Sequence, residues 1–184
     1  MTGMVLAATL LLVISAVVAG IDVIWIHLVE WKLYSRPETF YEHQVHTLHA
    51  TLAGVSVFLL FCYNLGGVLL WGAATTVVVW FLVEILDLLC EKESRASRGG
   101  LSSFEYALHI AISGLRFSFI ALILAAKPAD AWKAGAPLLL EPEYPVAVRA
   151  TGLLVGLGSL ALVAVHLWLM LPRYRAAVQP REHA

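Results

Sequence analysis

Charge is scarce in this chain. Of its 184 residues, 14% are Asp, Glu, Lys or Arg, whereas a soluble globular domain carries about 25%. The 12 basic and 13 acidic side chains also nearly cancel, so there is no basic excess of the kind that binds nucleic acid. Disordered chains combine low hydrophobicity with high net charge, and this chain has neither. These shortages exclude a nucleic-acid-binding protein, a disordered chain and an ordinary soluble domain.

Recognisable sequence motifs are scarce as well. The glycines form no phosphate-binding fingerprint, and no internal repeat or low-complexity tract is present. The boxes of adjacent histidines that are typical of membrane desaturases and hydroxylases are also missing. The sequence therefore indicates no family through a motif, and its function has to be argued from the placement of its few polar residues.

Long apolar runs dominate what is present. Hydrophobic residues make up 60% of the chain, and a bilayer span needs about 20 mostly apolar residues. The first run has no basic region before it and exceeds the length of a signal-peptide core, so we predict a retained span. We predict an all-α integral membrane protein with one transmembrane helical domain of five helices. The expected spans are residues 5–33, 36–64, 68–91, 103–126 and 146–171.

Basic residues predict how the spans are oriented. Cytoplasmic loops carry an excess of Lys and Arg. One side of the predicted bundle carries Lys127, Lys133 and Arg149. The other side carries Lys32, Arg36, Lys92, Arg95, Arg98, Arg173, Arg175 and Arg181. We therefore predict that the N-terminus is outside and the C-terminus is cytoplasmic, in a bacterial inner (plasma) membrane. The expected partners are the lipid bilayer and either other membrane subunits or a second copy of the chain.

Local signals indicate where the polar connections begin and end. Ser35 with Glu38, and Ser102 with Glu105, have the spacing of capping boxes, in which a Ser caps a helix and a Glu three residues later caps it in return. The connection over residues 127–145 contains four prolines and is predicted to be an irregular outer cap. Cys62 and Cys90 fall near opposite ends of neighbouring spans, too far apart for a disulfide.

Acids and imidazoles are concentrated near the inner ends of the predicted spans. At about 100° per residue, those on one helix fall within one narrow arc. Ionisable groups inside a membrane almost always face the interior of the bundle. The polar stripes of several helices are therefore predicted to converge on one place. The candidate metal ligands are His27, Glu30, Glu42, His46, His49, Glu84, Asp87, Glu105 and His109.

The composition of this cluster favours a metal ion. Several carboxylates packed together in an apolar medium need a counter-charge, and few basic side chains are expected at that depth. Imidazole with carboxylate suits iron or zinc, in a centre of one or two ions. In kind, these ligands resemble those of four-helix di-metal carboxylate proteins, although the Glu and His spacings differ. The high density of acids disfavours haem. His43, Glu91 and His166 are expected to contact the ligands rather than the metal.

Two further charged residues lie deeper in the predicted spans. Asp22 is in the middle of the first span, and Arg116 is in the middle of the fourth. Both are expected to lie just beyond the cluster, so we predict a buried Asp22–Arg116 ion pair with a mainly structural role.

The sequence leaves several functions open. The preferred hypothesis is a membrane metalloenzyme, a di-iron-like oxidoreductase that acts on a lipid-soluble substrate, with catalytic residues unassigned. An alternative is a non-catalytic accessory subunit of a larger membrane (bioenergetic) complex, in which the cluster is structural. A further alternative is a zinc-dependent lipid hydrolase. Transport of ions is disfavoured, because the outer halves of the spans lack a continuous polar path.

Overall fold

The computed structural model describes residues 2–94, 96 and 99–174. Within this part of the chain the fold is all-helical and contains no β-strand. Four residues that support the predicted orientation, namely Arg95, Arg98, Arg175 and Arg181, lie outside the described residues. The five long helices are α1 (Thr2–Gly20), α2 (Pro37–Cys62), α3 (Gly67–Ser94), α4 (Ser103–Ala125) and α5 (Val146–Leu169).

The helices have the length and composition that a membrane span requires. Five helical segments are apolar enough to cross a bilayer, as the sequence predicted. The boundaries of α2 to α5 lie within three residues of the expected ones. Between 17% and 50% of each apolar window is buried inside the bundle. Large apolar side chains therefore cover the outer surface, and such a surface needs lipid or protein against it.

The five helices are arranged as a ring. Helix α2 packs against α3 and α5, and α1 packs against α4 and, less extensively, against α5. In the described part of the chain the backbones of α3 and α4 do not pack closely, and side chains bridge them instead. Phe81 stacks on Phe117 with ring centroids 4.4 Å apart. This arrangement leaves room at the centre of the bundle for a cavity and polar side chains from several helices.

Glycines allow α2 and α5 to approach each other closely. A Cβ added at Gly54 would lie 3.2 Å from the backbone oxygen of Gly156, and one added at Gly152 would lie 2.5 Å from the Cβ of Phe61. Small residues permit this kind of backbone contact in membrane bundles. The Oγ of Ser159 also donates to the backbone oxygen of Ala50 at 2.7 Å. The α2–α5 pair therefore forms the tightest seam described in the ring.

The first span changes its helix type halfway. After α1, residues Ile21–Glu30 form a π-helix, a rare form in which each N–H bonds the carbonyl five residues earlier. The Trp31 N–H continues this pattern by bonding the Ile26 oxygen at 2.8 Å. Lys32 then adopts a left-handed conformation with φ 49°, and a 3₁₀ turn over Leu33–Ser35 leads into α2. The sequence pattern predicts an α-helix over residues 5–33, and this prediction is wrong for Ile21–Glu30.

The start of α2 also differs from the expectation. Its N-cap is Arg36, without a side-chain cap, and Pro37 is in the first turn. Ser35 is not the cap, because its Oγ donates to the Lys32 oxygen at 2.8 Å within the 3₁₀ turn. The start of α4 follows the prediction: the Oγ of Ser102 accepts from the Glu105 N–H at 3.1 Å.

The outer connection closes one end of the bundle. It contains a 3₁₀ turn over Ala129–Trp132 and is otherwise irregular, as predicted. The Nζ of Lys127 donates to the Oδ1 of Asn64 at 2.7 Å, and the Nδ2 of Asn64 donates to the Pro142 oxygen at 2.9 Å. Lys127 also lies over the ring of Tyr144, 4.8 Å from its centroid. These contacts tie the α2–α3 turn to the cap.

Candidate metal centre

Eight side chains from four helical segments meet near the end of the bundle where α3 ends and α4 begins, and we refer to them as the polar centre. All are buried except His109, which is half-buried. They are Asp22 and His27 from the π-helix, Glu42 and His46 from α2, Asp87 and Glu91 from α3, and Glu105 and His109 from α4. The structure thus places carboxylates and imidazoles from four segments together, as the sequence analysis expected.

The π-helix positions the contribution of the first span. In an α-helix, residues five apart point about 140° away from each other. In a π-helix, a residue and the one five positions later are joined by the backbone hydrogen bond and lie on nearly the same face. Asp22 and His27 have this spacing, and the Asp22 Oδ1 lies 3.6 Å from the His27 Nε2. The change of helix type therefore brings Asp22 into the polar centre, where the sequence analysis had not placed it.

Two imidazoles and a carboxylate form a continuous row. The Oδ2 of Asp87 lies 2.7 Å from the Nδ1 of His46, and the Nε2 of His46 lies 3.0 Å from the Nδ1 of His27. A carboxylate at one ring nitrogen fixes the orientation of an imidazole and makes its other nitrogen more basic. Asp87 therefore positions His46 with its Nε2 directed toward His27, which is completely buried.

His109 lies between two acids. Its Nε2 is 3.2 Å from the Asp22 Oδ1, and its Nδ1 is 3.2 Å from the Glu91 Oε2. A neutral imidazole carries a single N–H, so one of these contacts would place a nitrogen lone pair against a carboxylate oxygen. Both contacts become favourable only with a further positive charge, either an additional proton or a metal ion. The geometry therefore suits either an additional proton or a metal ion between α1, α3 and α4.

Three sets of potential ligand atoms lie close enough to hold an ion. Within each set, one ligand atom per residue falls within 4.8 Å of the others. Ligands bound at about 2.1 Å in a tetrahedral site lie about 3.4 Å from one another, so the ligand atoms of a set would have to approach by up to about 1.4 Å to bind one ion. The sets are Asp22, His27 and His46; His27, Glu105 and His109; and His27, Glu42 and Glu91. His27 belongs to all three.

Several buried atoms around the centre lack a hydrogen-bond partner with suitable geometry in the described part of the chain. Two of them nevertheless lie at ion-pair distance from a partner: the His46 Nδ1 from Asp87, and the Glu91 Oε2 from His109. Both contacts are close but poorly aligned for a hydrogen bond. A carboxylate oxygen that is held at ion-pair distance but poorly aligned is suited to a further, cationic partner. These atoms are the Nδ1 of His46, the Nε2 of His49, the Oδ1 of Asp87 and the Oε2 of Glu91.

Arg116 pairs with Glu84 and not with Asp22, which corrects the prediction. The Nη1 of Arg116 lies 2.6 Å from the Glu84 Oε2, and the Oγ of Ser113 donates to the Glu84 Oε1 at 2.5 Å. The guanidinium also lies over the Trp80 ring, 4.8 Å from its centroid. Glu84, an expected ligand, is therefore neutralised by Arg116 outside the three ligand sets.

The spacing on α3 and α4 explains this pairing. Glu84 and Glu91 are seven residues apart on α3, and His109 and Arg116 are seven apart on α4. Because the two helices run in opposite directions, matching intervals place Glu91 opposite His109 and Glu84 opposite Arg116. The two pairs are separated by two helical turns, about 10 Å. This signal is present in the sequence, but the sequence analysis compared Arg116 only with the first span.

Of the remaining expected ligands, Glu30 and His49 lie outside the ligand sets, whereas Glu42 belongs to one of them. Glu30, at the end of the π-helix, is exposed and outside the polar centre. His49 is half-buried, with its ring centroid 5.9 Å from that of His46 and 5.7 Å from that of Trp80, and it is in none of the ligand sets. Glu42 is fully inside and accepts a hydrogen bond from the Oγ of Ser94, a residue that the sequence analysis did not single out.

His43 and His166 form a separate pair. Both are completely buried, and their rings stack with centroids 4.6 Å apart. The Nε2 of His43 lies 3.3 Å from the backbone oxygen of His166, and the Oγ1 of Thr47 lies 3.2 Å from the His166 Nδ1. These contacts join α2 to α5. Of the three residues that were expected to support the ligands, Glu91 alone appears in a ligand set.

A cavity of about 440 Å³ adjoins the polar centre. One end is lined by Asp22, His46, Asp87 and other polar groups, and the rest by apolar side chains of all five long helices, such as Leu12 on α1 and Phe119 on α4. The polar centre is therefore next to a space in which an apolar molecule fits.

Comparison with known proteins gives no relative from which a role can be transferred. No protein-family model, no curated protein and no solved structure matches this chain. What the chain does must therefore be argued from the polar centre and its surroundings.

Proposed function

We propose that this protein is an integral membrane metalloprotein whose polar centre binds iron or zinc, in a site of one or two ions. The observation that carries the proposal is the sharing of His27 by three buried sets of ligand atoms, each within 4.8 Å. Imidazole together with carboxylate is the donor set that zinc and iron accept. Because His27 has two ring nitrogens, it can bind at most two ions.

The charge of the surroundings supports the proposal. Asp22, Asp87 and Glu91 are all buried, and a carboxylate removed from water has a high free-energy cost unless a cation compensates it. Arg116, the buried arginine in the described part of the chain, is already engaged by Glu84. A divalent ion between the helices would compensate several carboxylates at once.

The residues of the chain take distinct roles in this proposal. His27, His46, His109, Asp22 and Glu91 hold the ion, with Glu42 and Glu105 completing the set. Asp87 orients His46 through its Nδ1, a common arrangement around metal-bound histidines. Bound iron would supply oxygen-dependent oxidation chemistry, and the adjoining apolar cavity would position a lipid-soluble substrate beside it. The proposed enzyme is therefore a membrane oxidoreductase.

The proposed site lies on the cytoplasmic side of a membrane. This follows from the predicted orientation, in which the basic inner connections face the cytoplasm. The apolar outer faces of the five helices support insertion into a bilayer. The outer halves of the helices then separate the polar centre from the opposite side.

Metal analysis of the purified full-length chain tests the proposal. We expect one or two iron or zinc ions per chain after dialysis in mild detergent, and clearly less than one in His46→Ala and His27→Ala. Glu30→Gln is the matched control, because it removes an acid from the same π-helix that is exposed, and it should keep the wild-type metal content. Helix content measured by circular dichroism would show that the variants are folded.

A metal-free centre is the competing interpretation, and one observation favours it. The two acids beside His109 are also compensated if its imidazole carries a second proton. The cluster would then be structural, as in an accessory subunit of a larger membrane complex. Less than one tightly bound metal per wild-type chain, with no change in His46→Ala, would establish this interpretation and overturn the metalloprotein proposal.

With zinc as the bound metal, an activated water and lipid hydrolysis would replace oxidation.

A further inference from the structure

The shape and lining of the cavity indicate what it binds. We infer that it holds a single linear hydrocarbon chain with a neutral hydrogen-bonding end group, such as a hydroxyl, directed at the polar centre. This inference rests on the proposed function, because it names the substrate class of the same site. The cavity volume of about 440 Å³ is within the range of sites for small organic ligands.

The length of the cavity fits a chain rather than a compact molecule. On α4 its lining extends from His109 to Phe119 and on α3 from Trp80 to Glu91, a length of about 15 Å at 1.5 Å per residue. An extended hydrocarbon with C–C bonds of about 1.52 Å advances about 1.25 Å per carbon. A chain of about twelve carbons would therefore run from the polar end to the apolar end.

The polar end of the cavity selects a neutral group. Asp87 lines this end and is buried, and in the described part of the chain its Oδ1 has no hydrogen-bond partner with suitable geometry. A carboxylate oxygen is an acceptor, which suits a hydroxyl because a hydroxyl can donate to it. The Asp87 carboxylate, which holds no ion in the proposed site, would repel an anionic end group, so a fatty-acid carboxylate or a phosphate fits poorly.

The route by which a chain reaches the cavity follows from small residues between α1 and α5. The lining contributed by these helices includes Ala19 and Gly20 on α1 and Gly158 on α5. Gly158 is exposed on the outer surface of the bundle. A Cβ added at Gly20 or Gly158 would meet no atom within 4 Å. A chain dissolved in the bilayer can therefore enter sideways along this seam.

Photo-crosslinking with a diazirine-bearing dodecanol tests the inference. With the full-length protein in detergent, we expect adducts on residues that line the cavity, such as Leu12 on α1 and Ala53 on α2. Unlabelled 1-dodecanol should compete, and dodecyl phosphate should not. Ala53→Phe fills the cavity, and it should weaken equilibrium binding of dodecanol about tenfold, because the added ring occupies the ligand's space. Gly158→Leu narrows the seam, and it should slow the labelling of the cavity.

A matched control separates a blocked entrance from a general effect of added bulk. Gly114→Leu adds the same side chain on α4, at a glycine that is also exposed and also free of neighbours within 4 Å, but outside the cavity lining. It should leave labelling unchanged. Adducts confined to outward-facing residues such as Leu10 and Val17, or labelling that Ala53→Phe does not reduce, would overturn the inference.

The outcome is distinguishable from that of the metal proposal. Labelling of the cavity depends on apolar side chains that are not metal ligands, so it can be measured in His46→Ala. Cavity labelling in a protein without metal would support the chain-binding inference while the metalloprotein proposal fails. A metal-containing protein whose cavity is not labelled would leave the metalloprotein proposal standing and overturn the inference.

Discussion

Two buried charges outside the polar centre have their own partners. Glu84 has Arg116 and Ser113, and Lys127 has Asn64 and the ring of Tyr144. Matching matters because a single unpaired charge in an apolar interior costs more free energy than a pair, even though the pair itself adds little. The consequences of substitution at these sites therefore depend on which partner is left behind.

Removal of Arg116 alone should be strongly destabilising. Arg116→Met leaves the buried Glu84 carboxylate with Ser113 as its remaining partner, and breaking such a pair costs about 3–5 kcal/mol. Arg116→Met combined with Glu84→Gln should recover most of this loss, since no buried charge is then left unpaired. Unfolding of the four members of this double-mutant cycle in mixed micelles would measure the coupling. A double variant as unstable as Arg116→Met would contradict the prediction.

The buried Lys127 of the outer connection predicts that the free energy of unfolding depends on pH. Burial lowers the pKa of Lys127 from 10.5 to about 8. Between these values the folded protein has lost a proton that the unfolded chain still binds, so stability rises with pH across that interval. Burial raises the pKa of Tyr144, so its phenol remains neutral over the same range. The free energy of unfolding of the wild type, relative to Lys127→Met, should therefore increase from pH 8 to pH 10.

Lys133→Met is the control for this measurement. It removes a lysine of the same cap that is exposed and paired with exposed Asp130. A constant difference in unfolding free energy between the wild type and Lys127→Met from pH 7 to pH 10 would show that burial of Lys127 does not govern the effect.

At the residue scale, the sequence predicted much of the polar centre. The spacing of Glu105 with His109 correctly indicated two residues that belong to one ligand set, whereas Glu42 and His46 are both buried but belong to different sets. Glu30 was wrongly grouped with His27 because an α-helical repeat was assumed, whereas the structure is π-helical there. For the same reason, Asp22 was expected just beyond the cluster rather than within it. The local periodicity of the sequence cannot reveal a change from α-helix to π-helix, because that change depends on contacts with the neighbouring helices.

At the scale of elements, the tight seam between α2 and α5 carries the next prediction. Gly152→Ala would bring its Cβ to 2.5 Å from the Cβ of Phe61, a distance at which the helices must separate. We expect a loss of about 1–3 kcal/mol from this overpacking. The measurement is the unfolding free energy in micelles.

Gly114→Ala is the matched substitution for that experiment. It makes the same chemical change on α4, where the new methyl group meets nothing within 4 Å, and the replacement of a helical glycine by alanine favours the helix. It should be neutral or stabilising. Equal effects of the two substitutions would show that close approach of α2 and α5 is not what Gly152 provides.

Element boundaries could be predicted where the sequence contains a chemical signal. Ser102 caps α4 as expected, and the prolines of residues 127–145 keep the outer connection irregular. The entry to α2 could not be predicted in the same way, because Ser35 has two alternative partners. In the structure its hydroxyl bonds the Lys32 oxygen, which depends on the left-handed backbone that follows the π-helix.

At the scale of the whole molecule, helix number followed from the apolar runs, whereas helix order around the ring did not. The pairing of α1 with α4 and of α2 with α5 depends on side-chain fit between segments that are distant in sequence. The apolar surfaces of the five helices look alike in composition, so composition does not specify which pairs form. The close approach at Gly54, Gly152 and Gly156 was not predicted from the sequence, because a glycine does not identify the helix that packs against it.

The one-sided position of the polar centre has an electrical consequence. In the proposed orientation, His109 lies six residues inside α4, about 9 Å from its cytoplasmic end, in a hydrocarbon core about 30 Å thick. Carrying a unit charge across the whole bilayer against 100 mV takes about 2.3 kcal/mol, and the cytoplasmic route to His109 covers only about a third of that path. Ions and protons that exchange with the cytoplasm should therefore work against only about a third of the membrane voltage, or about 0.8 kcal/mol per unit charge at 100 mV.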